Sequence, residues 1–252
     1  MIRIDLLLTE RQLAKSRSQA QTFISEGRVS FFDRHQWITI SKPSFKVTHD
    51  CQIHVTESDA DRYVSRGALK LEGALNHTQL DIKGFTVLDV GQSTGGFTDC
   101  ALQHGAQKVV GIEVGHDQLD PRLKQHPDVI CLEGVNARHL TADILSPHMP
   151  ETGFDLAVMD VSFISQTKIL PNLVPLLAED GQLISLVKPQ FEVGPQGIGK
   201  GGIVKDPQLF KTLQQELSHF VEALGLTVKT YMESPITGGD GNHEFLLWAK
   251  KA

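Results

Sequence analysis

Apolar residues recur along this chain at two different spacings, and the change of spacing divides it. Near the start, Ile4, Leu7, Leu8 and Leu13, then Ala20, Phe23 and Ile24, fall at helical intervals and predict two short helices. Ser16 or Ser18 can cap the second, and Gly27 can end it. Three runs of strand-like composition follow, Val29–Phe31, Trp37–Ile40 and Gln52–Val55, punctuated by Asp33, Pro43 and Asp50. Residues 56–66, TESDADRYVSR, are polar and lack core periodicity. The pattern therefore predicts a small α+β domain over 1–57, a linker over 58–66 and a second domain over 67–252.

The second domain opens with a helix carrying Leu69, Ala74 and Leu75, with Lys70 between them, and Gly84 marks the next turn. Strand-like and helical runs then alternate. Predicted strands are Thr86–Asp89, Lys108–Val114, Val129–Glu133, Phe154–Asp160 and Gln182–Lys188. Between them lie a helix containing Phe97, Cys100 and Ala101, a helix or loop over His116–Lys124 and a helix over about 165–177. Pro207 opens a helix through Leu224 whose Leu209, Phe210, Leu213, Leu217, Phe220 and Val221 share one face. Leu226–Met232 and Phe245–Ala249 close the sheet, the last strand running antiparallel. This is an α/β pattern: a mostly parallel Rossmann-like sheet, helices on both faces, and ligands at the carboxyl ends of the strands. Pro189–Lys205 is a long glycine-rich stretch, with Gly194, Gly197, Gly199, Gly201 and Gly202, of the kind expected of a lid or a binding loop.

Composition narrows the class. The chain has 252 residues, 40% hydrophobic and 21% charged, as expected of a soluble globular protein. No apolar run reaches membrane-spanning length, and Leu6-Leu7-Leu8 is cut short by Thr9-Glu10-Arg11, unlike a secretion signal. Three dispersed cysteines, Cys51, Cys100 and Cys131, give neither a disulfide framework nor a zinc site, and the 11 histidines are scattered. A cytoplasmic protein without a metal is the expectation. The net charge is −6, but residues 1–46 carry eight Lys or Arg against four acids. That segment is +4 and the remainder −10, so a basic head sits on an acidic body. Arg11, Lys15 and Arg17 lie around the start of the second helix and Arg28 follows it, a placement that can follow a phosphate backbone.

The candidate chemistry lies in Thr86–Cys100, TVLDVGQSTGGFTDC. A strand runs into a glycine loop and then a helix, the opening of a nucleotide site. A dinucleotide site requires glycine where Ser93 stands, so a nucleotide-dependent oxidoreductase fits poorly. The spacing acid, one residue, glycine, three residues, paired glycines suits S-adenosylmethionine. Asp89 would lie near the methionine ammonium, and Gly91, Ser93, Thr94, Gly95, Gly96 and Phe97 would shape the loop. Glu113, at the end of the second strand, can take both ribose hydroxyls, and Asn136 follows the third strand near the adenine. Asp160 and Lys188 end the fourth and fifth strands, and Glu244 begins the last. All three should meet at one rim beside the cofactor, near Lys70.

Residues Arg3-Ile4-Asp5, Leu8, Ala14, Ser16-Arg17, Ala20, Ile24, Gly27-Arg28-Val29 and Ile53-His54-Val55 resemble the S-four-type RNA-binding module. That resemblance implies binding of structured RNA by shape and phosphate contact, with Arg3, Arg11, Lys15, Arg17 and Arg28 as contacts. Lys70, Asp160, Lys188 and Glu244 resemble the Lys-Asp-Lys-Glu tetrad of FtsJ-type RNA 2′-O-methyltransferases. YVSRGALKLEGAL, DVGQSTGGFTDC, MDVSFIS, LVKPQFEVG and SPITGGDGNHEFLL extend the resemblance over the whole chain, to the TlyA, or hemolysin A-like, family of rRNA methyltransferases. Gln92 stands where that family commonly has a small residue, and Glu113 where it commonly has Asp. The resemblance implies S-adenosylmethionine-dependent methylation of a ribose 2′-hydroxyl in ribosomal RNA. Lys188 would be the general base, favoured by the charge of Lys70 and by desolvation, with Asp160 and Glu244 orienting the lysines. The alternative is a non-enzymatic ribosome-binding or assembly factor that keeps the fold. A hemolytic pore is not expected, since the sequence shows neither spanning helices nor barrel strands.

Overall fold

The structure is a computed structural model that describes residues 1–239 and 241–251. The chain divides into two compact units, Met1–Asp61 and Arg62 onward.

The first unit begins with strand β1 (Ile2–Arg3), helix α1 (Ile4–Glu10) and helix α2 (Arg17–Ser25). Strands β2 (Val29–Asp33), β3 (Gln36–Thr39), β4 (Lys46–Val47) and β5 (Ile53–Val55) follow. The helical spacing read from the sequence buries Ile4, Leu7, Leu8, Ala20, Phe23 and Ile24 against Val29, Ile40 and Val47. Ser16 caps α2, its Oγ accepting from the Gln19 N–H at 3.2 Å. Strands β3, β2 and β5 form one antiparallel sheet, and β1 pairs with β4. Two-residue strands such as β1 and β4 are too short to show a period, and the hydrophobic pattern does not reveal them.

The second unit contains helix α3 (Ala68–Thr78), strand β6 (Thr86–Val90), helix α4 (Gly96–Gln103), strand β7 (Lys108–Glu113), helix α5 (Pro121–Lys124) and strand β8 (Val129–Glu133). Then come helix α6 (Ala142–Leu145), strand β9 (Phe154–Met159), helix α7 (Leu170–Leu173), strand β10 (Leu177–Val187), helix α8 (Pro207–Ala223), strand β11 (Leu226–Glu233) and strand β12 (Phe245–Lys251). One seven-stranded sheet runs in the order β11-β12-β10-β9-β6-β7-β8. Strand β12 is antiparallel to both neighbours, and the pairings among β10, β9, β6, β7 and β8 are all parallel. Leu71, Ala74, Leu75, Phe97 and Cys100, from α3 and α4, cover one face of the sheet. Leu170, Leu173, Leu213, Leu217 and Val221, from α7 and α8, cover the other.

Three expectations change. The segment read as a linker is shared between the units. Asp61 accepts from Arg28 and from the Ser58 N–H in the first unit. Tyr63 is buried in the second, and its hydroxyl donates to Glu72 at 2.9 Å. The helix expected over 165–177 is broken into α7 and flanking single turns, because Pro171 and Pro175 supply no N–H to continue it. The fifth strand begins earlier than expected, at Leu177, with a register shift before Gln182 where Asp180 takes a φ of +64°.

Candidate active site

Chain order in the sheet reverses between β6 and β9, so the connections leaving their carboxyl ends diverge to opposite sides and leave a crevice. Gly91 occupies the first position after β6, with a φ of +84°. A Cβ at Gly91 would lie 2.5 Å from the Asp160 carbonyl oxygen. Only glycine lets the two strand ends approach this closely. Gly95, at φ +92°, faces the other way; a Cβ there would lie 2.3 Å from Leu123 of α5.

A cleft of about 360 Å³ lies at the crevice, lined by Gly91, Ser93, Glu113, Asn136 and Asp160. Its floor is apolar, with Ile112, Val135, Ala137 and Ile164. Glu113 clasps the glycine loop: Oε2 accepts from the Ser93 N–H at 2.9 Å and Oε1 from the Gly115 N–H at 2.8 Å. Each of those oxygens keeps a further lone pair for a ligand hydroxyl. Asn136 Oδ1 accepts from the Arg138 N–H at 3.0 Å and caps the turn that follows. A second cleft of about 230 Å³ shares Gly91, Ser93 and Asp160 and adds Thr94, Gly96, Phe97 and Lys188. Asp160 and Ser162 line both clefts, so the two meet beside the lysine.

Two expected cofactor contacts, Asp89 and Gly95, lie outside the lining of both clefts. Gly95 lines neither cleft and serves the packing of α5. Asp89 lies within β6, 1% exposed, on the face covered by α4. Its Oδ2 accepts from the Thr98 hydroxyl at 2.6 Å, while Oδ1 has no partner. Burial pushes this carboxyl up to about 7, partly offset by the Thr98 bond. Gln92 completes the cluster. Its Nε2 donates to Thr98 Oγ1 at 2.8 Å, and its amide fills the space over Gly111, where a Cβ would lie 2.0 Å away. The large residue at position 92 is accommodated because residue 111 has no side chain. Asp89 thus supports the loop from beneath.

Lys70, Asp160, Lys188 and Glu244 come together at the rim. Lys70 faces the sheet from the first turn of α3, one turn before Ala74. Asp160 and Lys188 directly follow β9 and β10, and Glu244 directly precedes β12. Because β12 is antiparallel, its start lies beside the ends of its neighbours. Lys70 Nζ is 2.7 Å from Glu244 Oε2 and 3.7 Å from Asp160 Oδ2, and Lys188 Nζ is 2.5 Å from Asp160 Oδ1. Lys70 and Glu244 are buried, and Asp160 bridges the two lysines. Sequence reasoning missed Ser162, whose Oγ accepts from Lys188 Nζ at 2.9 Å. A hydroxyl two residues beyond Asp160 was the available signal. It also missed Phe163, 90% exposed at a φ of +64°, which lines the larger cleft and lies 5.1 Å from the Phe191 ring.

The head's cations are not equivalent. Arg28 is a clamp, stacked 4.2 Å over Phe23 and bonded to the Thr56 carbonyl, Glu26 and Asp61. Arg11 donates to the carbonyls of Cys51 and His49. Both were expected to contact phosphate, and both are engaged within their own unit. Arg3 and Arg17 pair with buried Asp5 at 2.9 Å, and these bonds, Arg3 first, hold that carboxyl far below its usual range. Their outer edges remain partly exposed, and Lys15 is exposed.

A sheet of this order with one antiparallel strand, a glycine loop after β6 and a cleft at the switch point is the fold of S-adenosylmethionine-dependent methyltransferases. The chain belongs to the FtsJ-like methyltransferase family, whose model matches residues 63–251. It is 43% identical to YqxC of Bacillus subtilis, provisionally named an rRNA methyltransferase, over 97% of this chain and 84% of that protein. It is 39% identical to the 16S/23S rRNA (cytidine-2′-O)-methyltransferase TlyA of Mycobacterium tuberculosis, over 98% of this chain and 89% of that protein. A solved structure carrying the hemolysin name, from Streptococcus thermophilus, matches with a TM-score of 0.77 at 37% identity, covering 100% of this chain and 88% of that one. Among the described residues, no helix is long and apolar enough to cross a membrane.

Proposed function

We propose that this chain methylates a ribose 2′-oxygen of ribosomal RNA, with S-adenosylmethionine as donor, in the cytoplasm. The observation that carries the reading is the bridged cluster Lys70–Glu244 and Lys188–Asp160, in which Asp160 lines both clefts and Lys188 the smaller one. The clefts fit the donor: an apolar floor suits a purine, Glu113 can accept from ribose hydroxyls, and Gly91, Ser93 and Asn136 line the wall. The names and identities of the relatives support rRNA and the ribose oxygen as targets.

S-adenosylmethionine supplies a methyl group already activated by its sulfonium. The chain must place the ribose hydroxyl and remove its proton, because that hydroxyl is a poor nucleophile at neutral pH. Lys188, acting as the free amine, takes the proton onto the Nζ lone pair. Asp160, bonded to both lysines, fixes their separation, and Ser162 fixes the second direction of Lys188. Lys70, held by Glu244, directs positive charge at the oxygen as negative charge develops there.

Lys188→Ala is expected to lower methyl transfer to rRNA by on the order of 10²-fold or more. Calorimetric binding of S-adenosylmethionine should stay near wild type, since Lys188 borders only the smaller cleft. Transfer at the wild-type rate would remove Lys188 from the reaction.

A further inference from the structure

The outer face of the β3-β2-β5 sheet carries a feature the catalytic site does not use. Cross-strand pairing places Phe32 opposite Trp37, and Ser30 opposite both Thr39 and His54. These five side chains share one face, while Val29, Phe31, Ile53 and Val55 pack on the core side. The face is open. Trp37 is 51% exposed and Phe32 is 40% exposed. The rings form a continuous row, Phe32 to Trp37 at 5.4 Å and Trp37 to His54 at 5.8 Å, edge to face. Two large aromatic side chains side by side in water are unusual for a face without a partner.

The composition of the face selects the partner. It holds three rings and two hydroxyls, with no aliphatic side chain and no carboxylate. Flat rings with hydroxyls beside them suit the faces and edges of unpaired bases. The β2–β3 turn, Arg34-His35, has both residues left-handed and adds a guanidinium at the end of the ring row. The unit as a whole, Met1–Asp61, carries eight Lys or Arg and eight Asp or Glu, so the local guanidinium rather than the net charge is what favours a phosphate here.

We propose that Phe32, Trp37 and His54 form a stacking platform for unpaired RNA bases, with Arg34 meeting the adjoining phosphate. It is distinct from the cations Arg3, Lys15 and Arg17, which suit the backbone of folded RNA. The proposal rests on the reading of rRNA as substrate and adds a single-stranded element to what is recognised.

The test uses the full chain and two RNA probes, a short single-stranded oligonucleotide and a hairpin of matching length. Binding is read by fluorescence anisotropy and by quenching of tryptophan emission. Trp37→Ala is expected to weaken single-strand binding by about 10-fold, with little change for the hairpin, and Trp37→Phe should restore most of the loss. Quenching by the single strand should vanish in both variants. An exposed position makes loss of folding a minor concern, and an unchanged melting temperature checks it. Equal binding of both probes by wild type and Trp37→Ala overturns the proposal. So does self-association of the wild type that Trp37→Ala abolishes, which would assign the face to a second copy of the chain. A wild type that methylates no RNA yet shows the Trp37-dependent binding would keep the platform and remove the methyltransferase reading.

Discussion

At Asp89 a single oxygen decides a stability profile. Its carboxyl is buried beneath the glycine loop with one unpartnered oxygen, and its pKa is raised to about 7. Because the folded state holds this proton more tightly than the unfolded chain, stability contributed by the neutral form is present at low pH. It is lost as pH rises through the window from the ordinary carboxylate range to about 7. Asp89→Asn keeps an acceptor for Thr98 and cannot ionise. It is expected to remove most of the fall in melting temperature between pH 5 and pH 8, a gain on the order of 1–3 kcal/mol at the upper end. Thermal unfolding at the two pH values checks this, and parallel slopes for both proteins would contradict it. From the sequence, Asp89 is indistinguishable from a ligand contact, because its role depends on where β6 stops. The strand continues to Val90, and the first rim position falls to Gly91. Glu113 was legible as a strand-end acid because it closes its strand, but its bonds to the Ser93 and Gly115 N–H groups were not.

At the scale of elements, the glycine loop joins two strand ends that nearly touch. Gly91→Ala would place a methyl group 2.5 Å from the Asp160 carbonyl, against backbone that cannot rotate away. The end of β9 should shift and carry Asp160 with it. S-adenosylmethionine affinity is expected to fall by about 10-fold or more and transfer by more than that, with the fold retained; calorimetry and a melting curve separate these effects. The loop from Pro189 onward is tied at both ends. Near its start, Glu192 accepts from the Ser165 hydroxyl at 2.6 Å and the Gln166 N–H at 2.9 Å. Near its end, Asn242 accepts from the Val204 N–H and donates to the Gly202 carbonyl, both at 3.0 Å. Any lid movement is confined to the glycines between those ties. The alternation of strands and helices was readable because each strand is a short apolar run between turn residues. The broken helix at α7 was readable too, in Pro171 and Pro175, had those residues outweighed the leucines around them.

At the scale of the molecule, the boundary falls inside what the sequence presents as one polar stretch. Tyr63 is the reason: its ring is buried in the second unit and its hydroxyl is bonded to Glu72. A polar run around one aromatic residue reads as linker until the partner of that residue, on the helix that follows, is known. A fragment beginning at Arg62 is therefore expected to fold and bind S-adenosylmethionine with full-chain affinity. It should lose rRNA binding, and a fragment beginning after Tyr63 should melt several degrees lower. The antiparallel strand has a wider consequence. Strand β12 is made after the other six strands, yet it takes an interior place between β10 and β11 and brings Glu244 to Lys70. Translation that stops before Glu244 leaves a gap in the middle of the sheet. A product ending there lacks both an interior strand and the carboxylate that holds Lys70, so the last residues made are required for the sheet and the rim together.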